Sequence, residues 1–269
     1  MRFIVTNLLL VASASAQWID LPTPGIPRTK DGRPNLSAPV PKTPEGRPDL
    51  SGIWQLARRP NPSTPPDVIP DAGGDVRRGN NGLHNFLPGG AAVPFQPWSE
   101  ALYKQRNEDL GIGLPSERCL PHSIPGAMLI PIPFKIIQTP ALTTVLFEEF
   151  NHYRQIFTDG RGHPSMLTPT WWGYSIGKWD KETFIVDTIG FNDRTWLDVS
   201  GYPHTEALHT TERFTRRDFG HMDVLVTIDD PKAYTKPWSP LLHLELLPDT
   251  ELIEHICENE KDSVHLVGK

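Results

Sequence analysis

The chain has 269 residues, enough for one large domain or two small ones. Its formal net charge of −6 excludes the basic surface that nucleic-acid binding needs. It also gives no reason for attraction to anionic membranes.

The N-terminus reads as a targeting segment. Arg2 is followed by an apolar run, Phe3 to Ala12, and by the small-x-small pattern Ala14-Ser15-Ala16. The run is far shorter than the ~20 residues a bilayer span requires. Residues 1–16 are therefore expected to be a signal peptide cleaved near Ala16, and the mature protein to be secreted or periplasmic. No later segment is long and apolar enough to span a membrane. In an oxidising compartment the two cysteines, Cys119 and Cys257, predict one disulfide.

Residues 17–96 are rich in Pro, Gly, Asn and Asp and predict an extended, wrapping or partly disordered arm. Gly32-Arg33-Pro34-Asn35-Leu36-Ser37 returns as Gly46-Arg47-Pro48-Asp49-Leu50-Ser51, and a first strand is expected near 52–56. Pro60 to Gly90 reads as a long surface loop. The pairs Arg58-Arg59, Arg77-Arg78 and Arg216-Arg217 read as solvated faces.

Residues 97–269 are assigned to a β-barrel domain. It begins with one helix, Pro97 to Leu110, with Pro97 in the first turn and Ser99 as a cap. Strand-like runs follow at 134–139, 143–150, 153–158, 171–179, 182–188, 208–217, 221–228, 241–247 and 251–257. Asp180-Lys181 reads as a hairpin turn. Close spacing and short turns predict an antiparallel barrel or sandwich, not a βαβ fold. Closure would remove sheet edges and leave room for one small ligand.

The motifs GRPDLSGIW, YRQIFTDGRGHP, WWGYSIGKWDKETFIVDTIGFNDRTWLD, PHTEALHTTERF and DDPKAYTKPW lie between residues 45 and 269. On these the chain resembles a large family of exported, mostly uncharacterised acidobacterial and proteobacterial proteins. The hairpin SIGKWDKETFIVDT is also similar to lipocalin-like barrels. The resemblance implies export and a lipocalin-like antiparallel β-barrel. It assigns no catalytic residue.

The chemistry is concentrated between Trp171 and Arg217. His204, Glu206 and His209 place two imidazoles and a carboxylate within six residues. On a strand His204 and Glu206 would share one face and His209 would take the other, so convergence needs a loop or bulge there. One reading is metal-free acid–base chemistry: His204 or His209 as acid or base, oriented by Glu206, Asp187 or Asp198. Trp172, Trp179 and Trp196 would form an apolar wall, and Asn192 and the rim residues Arg161 and His163 would contact substrate. A second reading is a divalent metal (Zn, Cu or Fe) on His204, His209 and Glu206, completed by His163 or Asp198. In a third, these side chains only cap turns and satisfy buried hydrogen bonds. The leading expectation is an exported barrel enzyme acting on a small organic molecule as a lyase, isomerase or hydrolase. The alternatives are a non-catalytic small-molecule binder and a metal-dependent enzyme.

Overall fold

The computed structural model describes residues 21–57, 82–109 and 111–257. The expected signal peptide, Arg58-Arg59, Arg77-Arg78 and most of the expected 60–90 loop lie outside the described residues.

The strands are β1 (Gly52–Leu56), β2 (Phe134–Gln138), β3 (Leu142–Phe147), β4 (His152–Phe157), β5 (Tyr174–Asp180), β6 (Thr183–Ile189), β7 (His209–Arg216), β8 (His221–Asp229) and β9 (Leu241–Leu246). They pair in sequence order and close on themselves through β1 and β9, so the expected mainly-β, lipocalin-like barrel is what the chain forms.

One pair departs from the antiparallel expectation. β4 and β5 are parallel, with Ile156 opposite Ser175 and Phe157 opposite Ile176. Closure requires this. Each antiparallel neighbour reverses strand direction, so a closed ring holds an even number of antiparallel pairs. Nine strands make nine pairs, and one must be parallel. A parallel pair needs a crossover that returns the length of a strand. Residues 158–173 are that crossover, and they carry His163 along the outside of the barrel.

Alternation sorts side chains by face. On β6, Phe184, Val186 and Thr188 point inward; on β7, Thr210, Glu212, Phe214 and Arg216 do. Trp54, Phe134, Phe147, Phe184, Met222, Val224, Val226 and Leu244 fill the interior. Each such burial stabilises by roughly 1.5–3 kcal/mol. Among them sits a polar group centred on Arg154. Arg154 is 3 % exposed and pairs with Glu212, 0 % exposed, at 3.0 Å between Nη1 and Oε1. Its remaining N–H groups donate to Ser175 and Thr188 at 3.1 and 2.9 Å.

The arm closes one end of the barrel, here the lower end. Its two repeats fold alike. The Thr29 N–H donates to Arg33 O and the Asn35 N–H to Pro27 O; the Thr43 N–H donates to Arg47 O and the Asp49 N–H to Pro41 O. Each turn needs a left-handed residue, supplied by Gly32 at φ +82° and Gly46 at φ +78°. The first hairpin pairs Arg28 with Asp249 at 2.8 Å, and the second pairs Lys42 with Glu182.

The upper end is covered by longer connections. The helix α1 spans Pro97–Glu108, two residues shorter than the expected 97–110, and packs Tyr103 on Tyr202 with ring centroids 4.5 Å apart. Ser99 does not cap it. Its hydroxyl donates to Gln96 O at 2.9 Å and also meets Ala233 O. A single turn, α2 (Gly126–Leu129), was not foreseen and is buried throughout.

Several strand expectations are corrected, beginning with β5, which starts at Tyr174 and not at Trp171. The β5–β6 turn is Lys181-Glu182, one residue later than expected, with Lys181 at φ +54°. β3 stops at Phe147 because Phe150 and Asn151 turn the chain at φ +54° and +53°. Residues 251–257 are not a strand. The ring already pairs every edge, so this segment climbs the outside of β2 and β3 on side-chain bonds. Glu251 meets Lys135 at 2.7 Å, the Ile253 N–H donates to Glu148 at 3.0 Å, and Glu149 and His255 form one isolated bridge.

The expected disulfide joins Cys119 to Cys257 across a separation of 138 residues. A loop of that length gives roughly 5 kcal/mol of stabilisation in the chain-entropy account. Among the described residues no helix is long and apolar enough to cross a membrane.

Candidate functional site

Asp187 is the hub. It lies on the outer face of β6, between the inward-facing Val186 and Thr188. His209, the first residue of β7, shares that outer face one strand over. The crossover delivers His163 to the same carboxylate. His163 Nε2 lies 2.5 Å from Asp187 Oδ1, and His209 Nε2 lies 2.8 Å from Oδ2.

Burial raises the Asp187 pKa, but the hydrogen bonds from His163 and His209 outweigh it and hold the carboxyl below its ordinary value. An ionised carboxylate only accepts, so each ring must donate its Nε2–H. In the neutral rings that makes Nδ1 the lone-pair nitrogen. The His163 Nδ1 is buried without a partner, whereas the His209 side chain is 40 % exposed.

The crossover is fastened around this group. Arg161 forms an ion pair with Asp159, covers the Phe157 ring at 4.1 Å and donates to the Tyr174 hydroxyl at 3.4 Å. The hydrogen bonds it donates to Asp159 raise the Arg161 pKa further, so its charge is permanent. Tyr174 presents its ring to His163 at 6.1 Å, edge on. Gly173 is required where the crossover enters β5. Its φ is +63°, and a Cβ there would lie 2.7 Å from Ile189 O.

A cleft of about 480 Å³ opens just beyond, where β6 ends and β7 begins. Pro169, Thr170, Trp171, Asn192, Asp193, Arg194 and Glu206 line it. Its walls are tied together by the Asn192 N–H donating to Thr170 O at 2.7 Å and the Thr170 N–H donating to Gly190 O at 2.9 Å.

The expected convergence of His204, Glu206 and His209 does not occur. His204 turns into the end cap, 5 % exposed, with Nε2 on the Thr195 hydroxyl at 2.7 Å. Burial lowers its pKa to about 4. Glu206 points into the cleft, and His209 sits on the barrel wall. The metal set of His204, His209 and His163 therefore has no common centre. Among the described residues no group of three or more His, Cys, Asp or Glu is arranged to hold a metal ion.

Asp198 is also elsewhere. It is fully buried, accepting from the N–H groups of Leu83 at 2.7 Å and Ser200 at 2.9 Å. Burial raises its pKa to about 7 against those bonds.

The three indoles form no single wall. Trp172 stacks on Phe147 at the upper end, with centroids 4.8 Å apart. Trp179 meets Phe184 at the lower end, with centroids 5.1 Å apart. Strand rise alone separates these two by roughly 23 Å. Trp196 is buried under the Arg106 guanidinium at 4.4 Å. Of the expected substrate contacts, Asn192 lines the cleft, while Arg161 and His163 belong to the Asp187 group.

Sequence reasoning missed a second imidazole–carboxylate group beneath the disulfide-tethered tail. In the fold, His122 Nδ1 meets Glu149 at 2.8 Å, both buried, while Phe150 packs against His152 and His255 with centroids 6.1 and 5.6 Å apart. His122 Nε2, His152 Nε2 and His255 Nδ1 are buried without partners. No local spacing signals this group, because its members come from three distant segments.

Comparison with family models, curated proteins and solved structures finds no match to this chain.

Proposed function

We propose that this is an exported enzyme that moves a proton on a small organic molecule, with His209 as the acid–base group. The observation that carries the reading is that two imidazoles donate to one ionised carboxylate, Asp187, on the wall beside an open cleft. In this arrangement Asp187 selects the tautomer of both rings. It leaves Nδ1 of the exposed His209 free to take a proton and stabilises the imidazolium that forms. His163, more buried, fixes the carboxylate's second oxygen. Export is supported by the leader-like N-terminus, the disulfide and the resemblance to exported bacterial proteins.

The test is deuterium wash-in from D₂O, followed by NMR over amino acids, hydroxy acids and sugar acids. Wild-type protein is expected to catalyse exchange at one acidic C–H position. His209→Ala and Asp187→Asn should each slow it by roughly 10²–10⁴-fold. Exchange that survives both substitutions, or no exchange in any compound, would overturn the reading and leave a binding protein.

A further inference from the structure

The cleft is lined by groups whose own chemistry is unspent. Trp171 makes no ring contact, and Asp193, Arg194 and Glu206 make no hydrogen bond or ion pair through their side chains among the described residues. Elsewhere around the site the protein matches charge with charge. Arg161 takes Asp159, and Arg154 takes Glu212. In the cleft, two carboxylates and one guanidinium surround about 480 Å³ beside a bare indole. The frame that holds them is set before any ligand arrives. Thr170 pairs with Phe191, and the Asn192 side chain accepts the Arg194 N–H at 3.1 Å, which fixes the turn carrying Asp193 and Arg194. A preorganised rim spends little binding energy on ordering.

The charges select the ligand. An ammonium group is favoured by carboxylates and by an indole face together. A carboxylate is favoured by a guanidinium, which grips it through two parallel N–H groups. A neutral sugar would leave all three charges unanswered. A dianion would face two carboxylates, and a simple amine would face Arg194 with nothing to offer it. We propose that the cleft binds an amino acid or the end of a short peptide, with its ammonium toward Asp193, Glu206 and Trp171 and its carboxylate on Arg194. A basic amino acid, with two cationic groups and one anionic, matches the lining charge for charge. As a substrate class this rests on the acid–base reading of His209, but the binding test below does not depend on it.

The test is isothermal titration calorimetry of the full chain with L-lysine, L-alanine, Nα-acetyl-lysine, lysine amide and a neutral disaccharide. Lysine should bind tightest and alanine more weakly. Acetylation or amidation should each weaken lysine at least tenfold. Glu206→Gln should weaken lysine, and Arg194→Gln should erase the difference between lysine and lysine amide. Binding of the disaccharide in preference to lysine, no binding of any probe, or affinities unmoved by both substitutions would overturn the assignment. Lysine binding without deuterium exchange would sink the acid–base reading and leave the cleft's ligand class standing.

Discussion

β6 and β7 carry two polar groups back to back, one on each face of the same strands. Inside the barrel, Thr188 and Glu212 close on Arg154. Outside, one residue along from Thr188 and Thr210, Asp187 and His209 close on His163. The inner group is built from a guanidinium, a carboxylate and hydroxyls. Each of the three guanidinium nitrogens has a partner within the group. The outer group is built from imidazoles, is partly open to solvent and has a spare nitrogen on each ring. The period of two placed both groups, but burial and titratability give them different work. The inner one fixes the packing of the barrel wall. The outer one is the group to which the proposed function assigns proton exchange.

Breaking the inner group should cost most. Glu212→Ala leaves Arg154 charged and unpaired in the core, which should destabilise by about 3–5 kcal/mol. Urea unfolding followed by Trp fluorescence would measure it. The double change Arg154→Met/Glu212→Leu should recover much of the loss, because apolar side chains of similar volume replace the pair without leaving a buried charge. A single-substitution cost below about 1 kcal/mol would show that the pair is solvated, and the contrast between the faces would fail.

A third imidazole sharpens the contrast by lying between the extremes. His204 is buried, and its pKa is lowered from 6.5 to about 4. Above pH 6.5 the folded and unfolded chains both hold the ring neutral. As pH falls toward 4 the unfolded chain takes up the proton first, so the fold loses up to roughly 3 kcal/mol across that window. Asp198 works the other way. Its pKa is raised from 3.8 to about 7, so its contribution is full below pH 3.8 and is lost as pH rises toward 7. The two slopes partly cancel in the wild type. The diagnostic quantity is therefore the slope of stability against pH, compared between wild type and His204→Gln. The variant should lose stability less steeply between pH 6.5 and 4, whatever its absolute stability.

The smallest stability effect should come from the outer group. Asp187→Asn removes the charge and leaves one acceptor oxygen for two imidazole N–H groups on a partly exposed surface, and should change stability by no more than about 1 kcal/mol. The same substitution should remove the deuterium exchange described above. A large stability loss instead would make Asp187 a fastening for the crossover, not an acid–base centre.

The strands themselves were legible because each alternates. β6 reads in and out from Thr183 to Ile189 without a break, and the turn signals between runs placed eight of the nine barrel strands after residue 131, with β1 located near Trp54. The run at 251–257 looked equally strand-like, and only ring closure denies it a partner. The cysteines could be matched because there are only two.

The candidate site was only partly legible. Asp187, His163 and His209 were all singled out, and Asp187 beside His209 was among the expected pairings; what local crowding wrongly suggested was that His204, Glu206 and His209 would meet. Sequence alone determined that the chain would build a barrel or sandwich from alternating strands, and that its imidazoles and carboxylates crowd near β6 and β7. Those are properties of local period and composition. Only the tertiary structure decided that an odd strand number forces a parallel pair, that the resulting crossover lays His163 on Asp187, and that His204 is sealed in the end cap. Those outcomes depend on ring closure and on contacts between segments far apart in the chain, which no local spacing encodes.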